Sequence, residues 1–177
     1  MVEEAGGNTV SKANEIYNEL IAPIERRMMS SVTRIVRNPE DAADTLQNAL
    51  TSIWKNLKKI HHHPNPHAYI LRVCVNAAYD TLRKRRRRNE QPLDEMEGSI
   101  PSHGGSESPA IALVREREVL SAIASLPRNQ AEAVLLRVVE DQPFQSIAEA
   151  LGCREETARS HVSKGKARLR EILAGTL

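Results

Sequence analysis

Two sets of cations are the groups of this chain best suited to do chemistry. The first is the run Arg83-Lys84-Arg85-Arg86-Arg87-Arg88. The second is Arg154, Arg159, Lys164, Lys166, Arg168 and Arg170 near the C-terminus. The chemistry they suit is non-covalent. Arginine and lysine neutralise phosphates, and arginine also pairs bidentately with guanine edges. Ser160 and Ser163 lie within the second set and can meet phosphates or base edges. Plainer readings exist: a solvated helix end or localisation-type tail for the first set, and a small bundle with a merely basic last helix for the second. Other reactive groups offer less. His61, His62, His63 and His67 sit beside Pro64 and Pro66, and three adjacent histidines with no acid beside them do not converge on one metal. None has a recognisable nucleophile or orienting partner. Asp41, Asp44 and Asp80 suit a helix start and polar surface. No catalytic residue, metal or cofactor is predicted.

The cations need elements to hold them. Phe144, Ile147, Ala148 and Leu151 recur at helical spacing, and Gly152 follows, where a helix end and sharp turn need a residue that tolerates positive φ. The helix after it has few apolar positions, Ala158, Val162 and Leu169. It packs along one side and leaves the other free for a polyanion. This is the pattern of a helix-turn-helix, whose second helix enters the major groove. The free face is predicted to carry Arg154, Arg159, Ser160, Ser163 and Lys164. Gly165, inside that helix, either permits a close approach or weakens the helix.

The arginine run ends a longer predicted helix that starts near Pro66 and passes through Tyr69, Ile70, Val73, Ala77 and Leu82. It is apolar on several faces, so it is expected at the centre of the first domain. Before it, Asn38-Pro39-Glu40-Asp41 reads as a loop and helix start. The helix from about Glu40 to Leu57 has the stripe Leu46, Leu50, Ile53 and Leu57. A helix is expected from Ser11, with Ile16, Leu20 and Ile21 on one face. Pro23 interrupts it, and Ile24, Met28, Val32 and Ile35 carry the stripe onward. In the C-terminal part, Val119, Leu120, Ile123 and Leu126 are expected to line one helix, and Ala131, Val134, Leu135 and Val138 the next.

The 177 residues allow one or two small domains. Aromatic residues are 3%, so cores must be built from Leu, Ile, Val and Ala, which favours an all-α fold. The net charge of +2 hides segregation: Asn89 to Ala110 holds five acids and no Lys or Arg. That stretch is rich in proline and glycine and poor in apolar residues, so it reads as a flexible acidic linker. Residues 1 to about 11 are expected to fray. Cys74 and Cys153 lack metal-ligand spacing and are expected to fill core space. With no signal peptide and no apolar run of spanning length, a cytoplasmic protein without membrane insertion is expected.

The pattern as a whole resembles an extracytoplasmic-function (ECF) sigma factor of bacterial RNA polymerase. NPEDAADTLQNALTSIWKNL is similar to the family's region two segment, with Asp44, Gln47 and Trp54 matching. PHAYILRVCVNAAYDTLRKRRRR is similar to the segment that follows, with Arg72, Asn76, Asp80 and the basic end matching. LPRNQAEAVLLRVVEDQPFQSIAEALGCREETARSHVSKGKARLR is similar to region four. Asn48 stands where a glutamate is usual, histidines replace the usual glycine and acidic mix of the loop, Ser163 and Gly165 replace larger residues, and Ala158 replaces a β-branched one.

The resemblance implies a region 2 domain over 12–88 that binds core polymerase and the minus-ten element. It implies a linker over 89–110 and a helix-turn-helix region 4 domain over 111–177 for the minus-thirty-five element. Ala43, Gln47, Asn48, Leu50 and Trp54 would dock the clamp coiled coil of the largest polymerase subunit, and Leu50 and Trp54 are equally placed to be core. Arg72, Asn76, Arg83, Lys84, Arg85, Arg86 and Arg87 would meet DNA, with the His61–His67 loop and Asn76 around a flipped base. Arg154, Arg159, Ser160, Ser163 and Lys164 would face the upstream element. The partners implied are core polymerase (its clamp coiled coil and flap), promoter DNA and an anti-sigma factor. The competing functional class is a stand-alone helix-turn-helix regulator.

Overall fold

A computed structural model describes residues 14–89 and 109–175. Among them there are helices and no strands. The expected fraying of residues 1–11, the helix start at Ser11 and nearly all of the acidic linker lie outside the described residues.

Helix α1 covers 14–20. A 3₁₀ turn, Ala22–Ile24, follows at Pro23, whose ring cannot continue an α-helix without losing a hydrogen bond. Helix α2 (Glu25–Val36) ends at Arg37, which is left-handed (φ 62°) and returns its N–H to the Thr33 carbonyl. Helix α3 (Pro39–Lys55) starts as its sequence directs. The Asn38 side chain accepts from the Asp41 amide at 2.9 Å, Pro39 fills the first turn, and Glu40 and Asp41 complement the helix dipole. A short α4 (Leu57–His61) leads to α5 (Pro66–Asn89), where Asn65 Oδ1 accepts from the Ala68 amide at 3.1 Å. Helix α6 (Pro109–Ser125) begins two residues inside the stretch read as linker, and Asn89 closes α5. Helices α7 (Arg128–Val138), α8 (Phe144–Leu151) and α9 (Glu155–Ala174) complete the chain.

Helix α5 is the wall that most of the other helices meet. Helices α2 and α3 pack on it from one side, and α6, α7 and α8 from the other. This explains its apolar character on several faces. Ile70, Leu71, Cys74, Val75, Ala78 and Leu82 are buried and join one hydrophobic cluster. That cluster runs from Leu20 and Met28 through Ile53 to Leu135, Leu136, Ile147 and Val162. The two groups of helices, α1–α5 and α6–α9, therefore share a core. Burial shields Cys74 completely, and its thiol is pushed up to about 12, first by desolvation and then by the charge of Glu140.

Two positions of the expected stripes face solvent. In α3, Leu50 is half-buried and packs against the core beside Ala42 and Ala49. Val119 faces solvent, because α6 turns Ala122 and Ala124 inward, with Leu126 buried just beyond its end. Val138 faces solvent in the last turn of α7, where the chain leaves its neighbours for the turn at Asp141.

Candidate nucleic-acid and polymerase interfaces

Helices α8 and α9 form the helix-turn-helix. Gly152 caps α8 in the left-handed region (φ 67°), where a side chain would be strained. Arg154 is the extended residue before α9, and Glu155 and Glu156 stabilise its first turn. Ala158, Val162 and Gly165 turn inward against the bundle. Arg154, Arg159, Ser163 and Lys164 face solvent, and Ser160 is half-buried. Arg159 lies 4.4 Å over the Phe144 ring and pairs with Glu155 one turn back. The aromatic ring of α8 thus props the guanidinium on the outer face of α9. Gly165 marks a close approach. A Cβ there would sit 2.6 Å from Val134 Cγ2 and 3.3 Å from the Gln130 carbonyl oxygen on α7.

The outward face of α3 presents Ala43, Gln47 and Asn48 to solvent, with Leu50 at its edge. Trp54 is 43% exposed and stacks on Tyr17 of α1, with ring centroids 5.9 Å apart and planes 8° from parallel. The ring is thus held flat and still offers a face to a partner.

The arginine run divides by role. Arg85 turns back on the fold, bonding the Val36 carbonyl at 2.9 Å and pairing with Asp41, so it ties the end of α5 to the α2–α3 corner. Arg83 lies 5.8 Å from the Tyr79 ring centroid. Lys84, Arg87 and Arg88 are exposed. Arg83, Arg86, Arg87 and Arg128 line a cleft of about 420 Å³ between the end of α5 and the α6–α7 turn.

Arg72 and Asn76 are not brought to the same surface as the α9 cations. Arg72 Nε donates to Glu132 Oε2 at 2.7 Å, and its Nη1 donates to the Ala150 carbonyl at 2.8 Å. Asn76 Oδ1 accepts from Arg128 Nη1 at 2.9 Å, and Arg128 Nη2 reaches Asp80 at 2.6 Å. The bond to Asp80 raises the Arg128 guanidinium further above its ordinary value. Of the loop histidines, His63 is likewise engaged with the second group of helices. His63 Nε2 lies 3.1 Å from the Glu149 carbonyl oxygen, and Asn65 donates to the Glu149 carboxylate at 3.0 Å. The Tyr79 hydroxyl donates to the Leu126 carbonyl at 2.6 Å. On α2, Arg27 and Arg34 grip the turn after α7 through Glu140 and the Val139 carbonyl. Sequence reasoning gave no role to Arg27, Tyr79, Arg128, Glu132 or Glu140. One signal was present: Glu132 is a carboxylate inside the apolar run Ala131–Leu136, and it is fully buried.

The family model for Sigma-70 region 2 matches residues 20–88, and that for Sigma-70, region 4 matches residues 116–169. The probable RNA polymerase sigma factor RfaY of Xanthomonas campestris is 25% identical over 166 residues. These are 90% of this chain and 40% of RfaY, so the chain spans under half of that relative. The ECF RNA polymerase sigma factor SigM of Mycobacterium tuberculosis is 27% identical over 157 residues, 89% of this chain and 76% of SigM. Among solved structures, the sigma factor RpoE of Bartonella quintana, crystallised with the anti-sigma factor NepR, has the same fold. Its TM-score is 0.55 at 21% identity, over 89% of this chain and 96% of RpoE. With region 2 spanning α2, α3 and α5, region 4 spanning the α8–α9 helix-turn-helix, and both in the family's order, the chain belongs to the ECF sigma factors of bacterial RNA polymerase.

Proposed function

We propose that this sigma factor docks core RNA polymerase through the outward face of α3 and reads promoter DNA through α9 and the basic end of α5. The carrying observation is that two chemically distinct faces stand open on one molecule: an aromatic and amide face at Gln47, Asn48 and Trp54, and a cationic face at Arg154, Arg159, Ser163 and Lys164. The first suits a protein partner, since a fixed aromatic ring beside amides supplies contact area and orientation. The second suits a duplex, with Arg159 aimed by Phe144 toward base edges of the upstream element and the neighbouring cations on phosphates. Lys84, Arg86 and Arg87 would follow the DNA backbone near the minus-ten element, and Arg72 and Asn76 would meet its separated strand. Arg85 supports that helix end from behind. The domain roles follow: region 2 within 12–88, region 4 within 111–177, joined through 89–110. The work is binding and strand separation rather than catalysis, and its place is the cytoplasm, where core polymerase is. An anti-sigma factor is a further partner of the kind crystallised with the Bartonella quintana protein. A stand-alone regulator would leave the region 2 match without a use.

The test is transcription in vitro with bacterial core polymerase and a library of promoter sequences. The chain is expected to select a promoter and to co-purify with core. Trp54→Ala is expected to weaken core binding by about 2 kcal/mol or more, as truncating a central aromatic anchor does, while the melting temperature stays close to that of the parent. If no promoter is selected and no core is retained, the proposal is wrong.

A further inference from the structure

The cations at the end of α5 divide between two faces. Arg83 and Arg87 are one turn apart and Arg86 stands beside them, so the three share a face. That face lines the cleft of about 420 Å³, whose other wall is Ser125, Pro127 and Arg128 at the α6–α7 turn. Lys84 and Arg88 are a second pair one turn apart, exposed and outside the cleft lining. Among the described residues no acid lines the cleft. A helix C-terminus favours cations, which explains the run. It does not explain why three of them crowd into one concavity, since like charges at this spacing repel. The cleft floor holds them there. The guanidiniums of Arg83 and Arg128 lie over the Tyr79 ring, 5.8 and 5.4 Å from its centroid, and the Tyr79 hydroxyl fixes that ring on the Leu126 carbonyl. Asp80 and Asn76 brace Arg128 further. Pro127 and Arg128 are also the start of α7, where no side chain caps the helix and no acid stands in the first turn, so the dipole of α7 adds to the same positive field.

We infer that this cleft is a binding site for a small ligand with linked phosphates: a pyrophosphate or longer phosphate chain, free or carried on a nucleoside. Size, charge and rigidity select that class. The volume falls within the ordinary range of small-ligand sites, about 300–1,000 Å³, whereas a duplex can meet only the rim. One isolated anion needs one guanidinium. Several guanidiniums on one face match a run of linked oxyanions, each planar fork taking two oxygens. Tyr79 holds Arg83 and Arg128 in place before any ligand arrives, so less side-chain freedom is lost on binding. Asp80 already offsets the charge of Arg128, so Arg83 and Arg87 are the principal phosphate contacts. Arg128 and the start of α7 close the far end of the chain of phosphates. A bound polyanion also relieves the repulsion among the cations of α5. Arg86 and Arg87 are shared with the proposed DNA path, so a nucleic-acid strand is the rival occupant.

The experiment titrates the full chain by calorimetry with pyrophosphate, tripolyphosphate and ATP, free of divalent metal and at physiological ionic strength. Orthophosphate and AMP are the single-phosphate comparisons. Linked phosphates are expected to bind at one site per chain, about tenfold or more tighter than single ones. ATP that binds no tighter than tripolyphosphate assigns the site to the phosphate chain alone. ATP that binds tighter assigns it to a nucleoside polyphosphate. Both outcomes support the cleft. Arg83→Ala/Arg87→Ala is expected to weaken binding about tenfold or more. Arg26→Ala/Arg117→Ala removes the same charge from exposed positions outside the cleft and is expected to weaken it less than about twofold. A second measurement needs no variant. Phenylglyoxal labelling of the parent, read by peptide mass mapping, is expected to show Arg83 and Arg87 protected by pyrophosphate and Arg26 and Arg117 unprotected. Equal losses in the two double variants, or labelling without protection, overturn the site. Single phosphates binding as tightly as linked ones also overturn it, as an adventitious ion only. A labelled random single-stranded oligonucleotide separates the rival. If it loses affinity in Arg83→Ala/Arg87→Ala while no linked phosphate binds the parent, the arginines serve nucleic acid and the small-ligand site falls. If linked phosphates bind and the oligonucleotide is unmoved by that variant, the site stands and the DNA path through Arg87 falls.

Discussion

Arg159 and Gly165 sit two turns apart on α9 and show what a residue type does and does not disclose. The cation, its spacing from Gly152 and its exposed face were legible, because charge and helical periodicity are local. Its support by Phe144 was not, since that contact crosses from α8. Gly165 left two readings open, a close approach or a weak helix, and the distance to α7 decides for the close approach. A Cβ at 2.6 Å from Val134 Cγ2 forces a stiff β-branched side chain to move, and the Gln130 carbonyl at 3.3 Å limits where α9 can retreat. Gly165→Ala gains about 1 kcal/mol in helix propensity but meets an overpacking cost of about 1–3 kcal/mol. The expected outcome is a net loss of about 1 kcal/mol, or a fall of roughly 2–4 °C in melting temperature for a chain of this size. Adding Val134→Ala should relieve the clash. A Gly165→Ala chain that melts higher than its parent would show that α9 and α7 are not packed this closely.

At the scale of elements, boundaries with chemical markers were legible and orientation was less so. Asn38, Pro39, Pro66 and Gly152 each act within one turn of their own position, and each helix end falls beside them. The rotation of α6 was missed at Val119, because a helix rich in small apolar residues offers more than one face to bury. Helix α5 was recognised as central from its apolar faces, but which neighbours covered them is a tertiary fact. That covering makes a chemical prediction. Burial on both sides, with Glu140 nearby, pushes the Cys74 thiol up to about 12, so the raised value disfavours its thiolate at pH 8. Cys153 is half-buried and its thiol is raised mainly by burial, with Arg72 opposing. Titration of the native chain with a disulfide reagent at pH 8 should therefore show one thiol, Cys153, reacting well before the other. Cys74 should react only as fast as the fold opens. Equal rates would mean that α5 is not covered on both sides.

At the scale of the whole molecule, composition divides the chain at 89–110 and reads as two small domains on a linker. The described residues on the two sides share one hydrophobic cluster through α5. The division is legible because proline, glycine and acids mark a local property. The joining is not, because it arises from Arg72, Asn76 and Tyr79 meeting partners about 50 residues or more away, and no local pattern encodes that meeting. A shared core has a thermodynamic consequence. If the halves are coupled, damage to one must be felt by the other within a cooperative transition. The sequence supplies a probe, since Trp54 is the single tryptophan and lies in the N-terminal half, whereas Gly165 lies in the C-terminal half. Trp54 fluorescence and far-ultraviolet circular dichroism of the parent are expected to melt together. Gly165→Ala, though remote from Trp54, is expected to lower both midpoints by the same few degrees. Two separate transitions, or a fluorescence midpoint unmoved by Gly165→Ala, would show that the contact across α5 is too weak to couple the halves. Coincident shifts would show instead that the two groups of helices unfold as one cooperative unit through the core they share along α5.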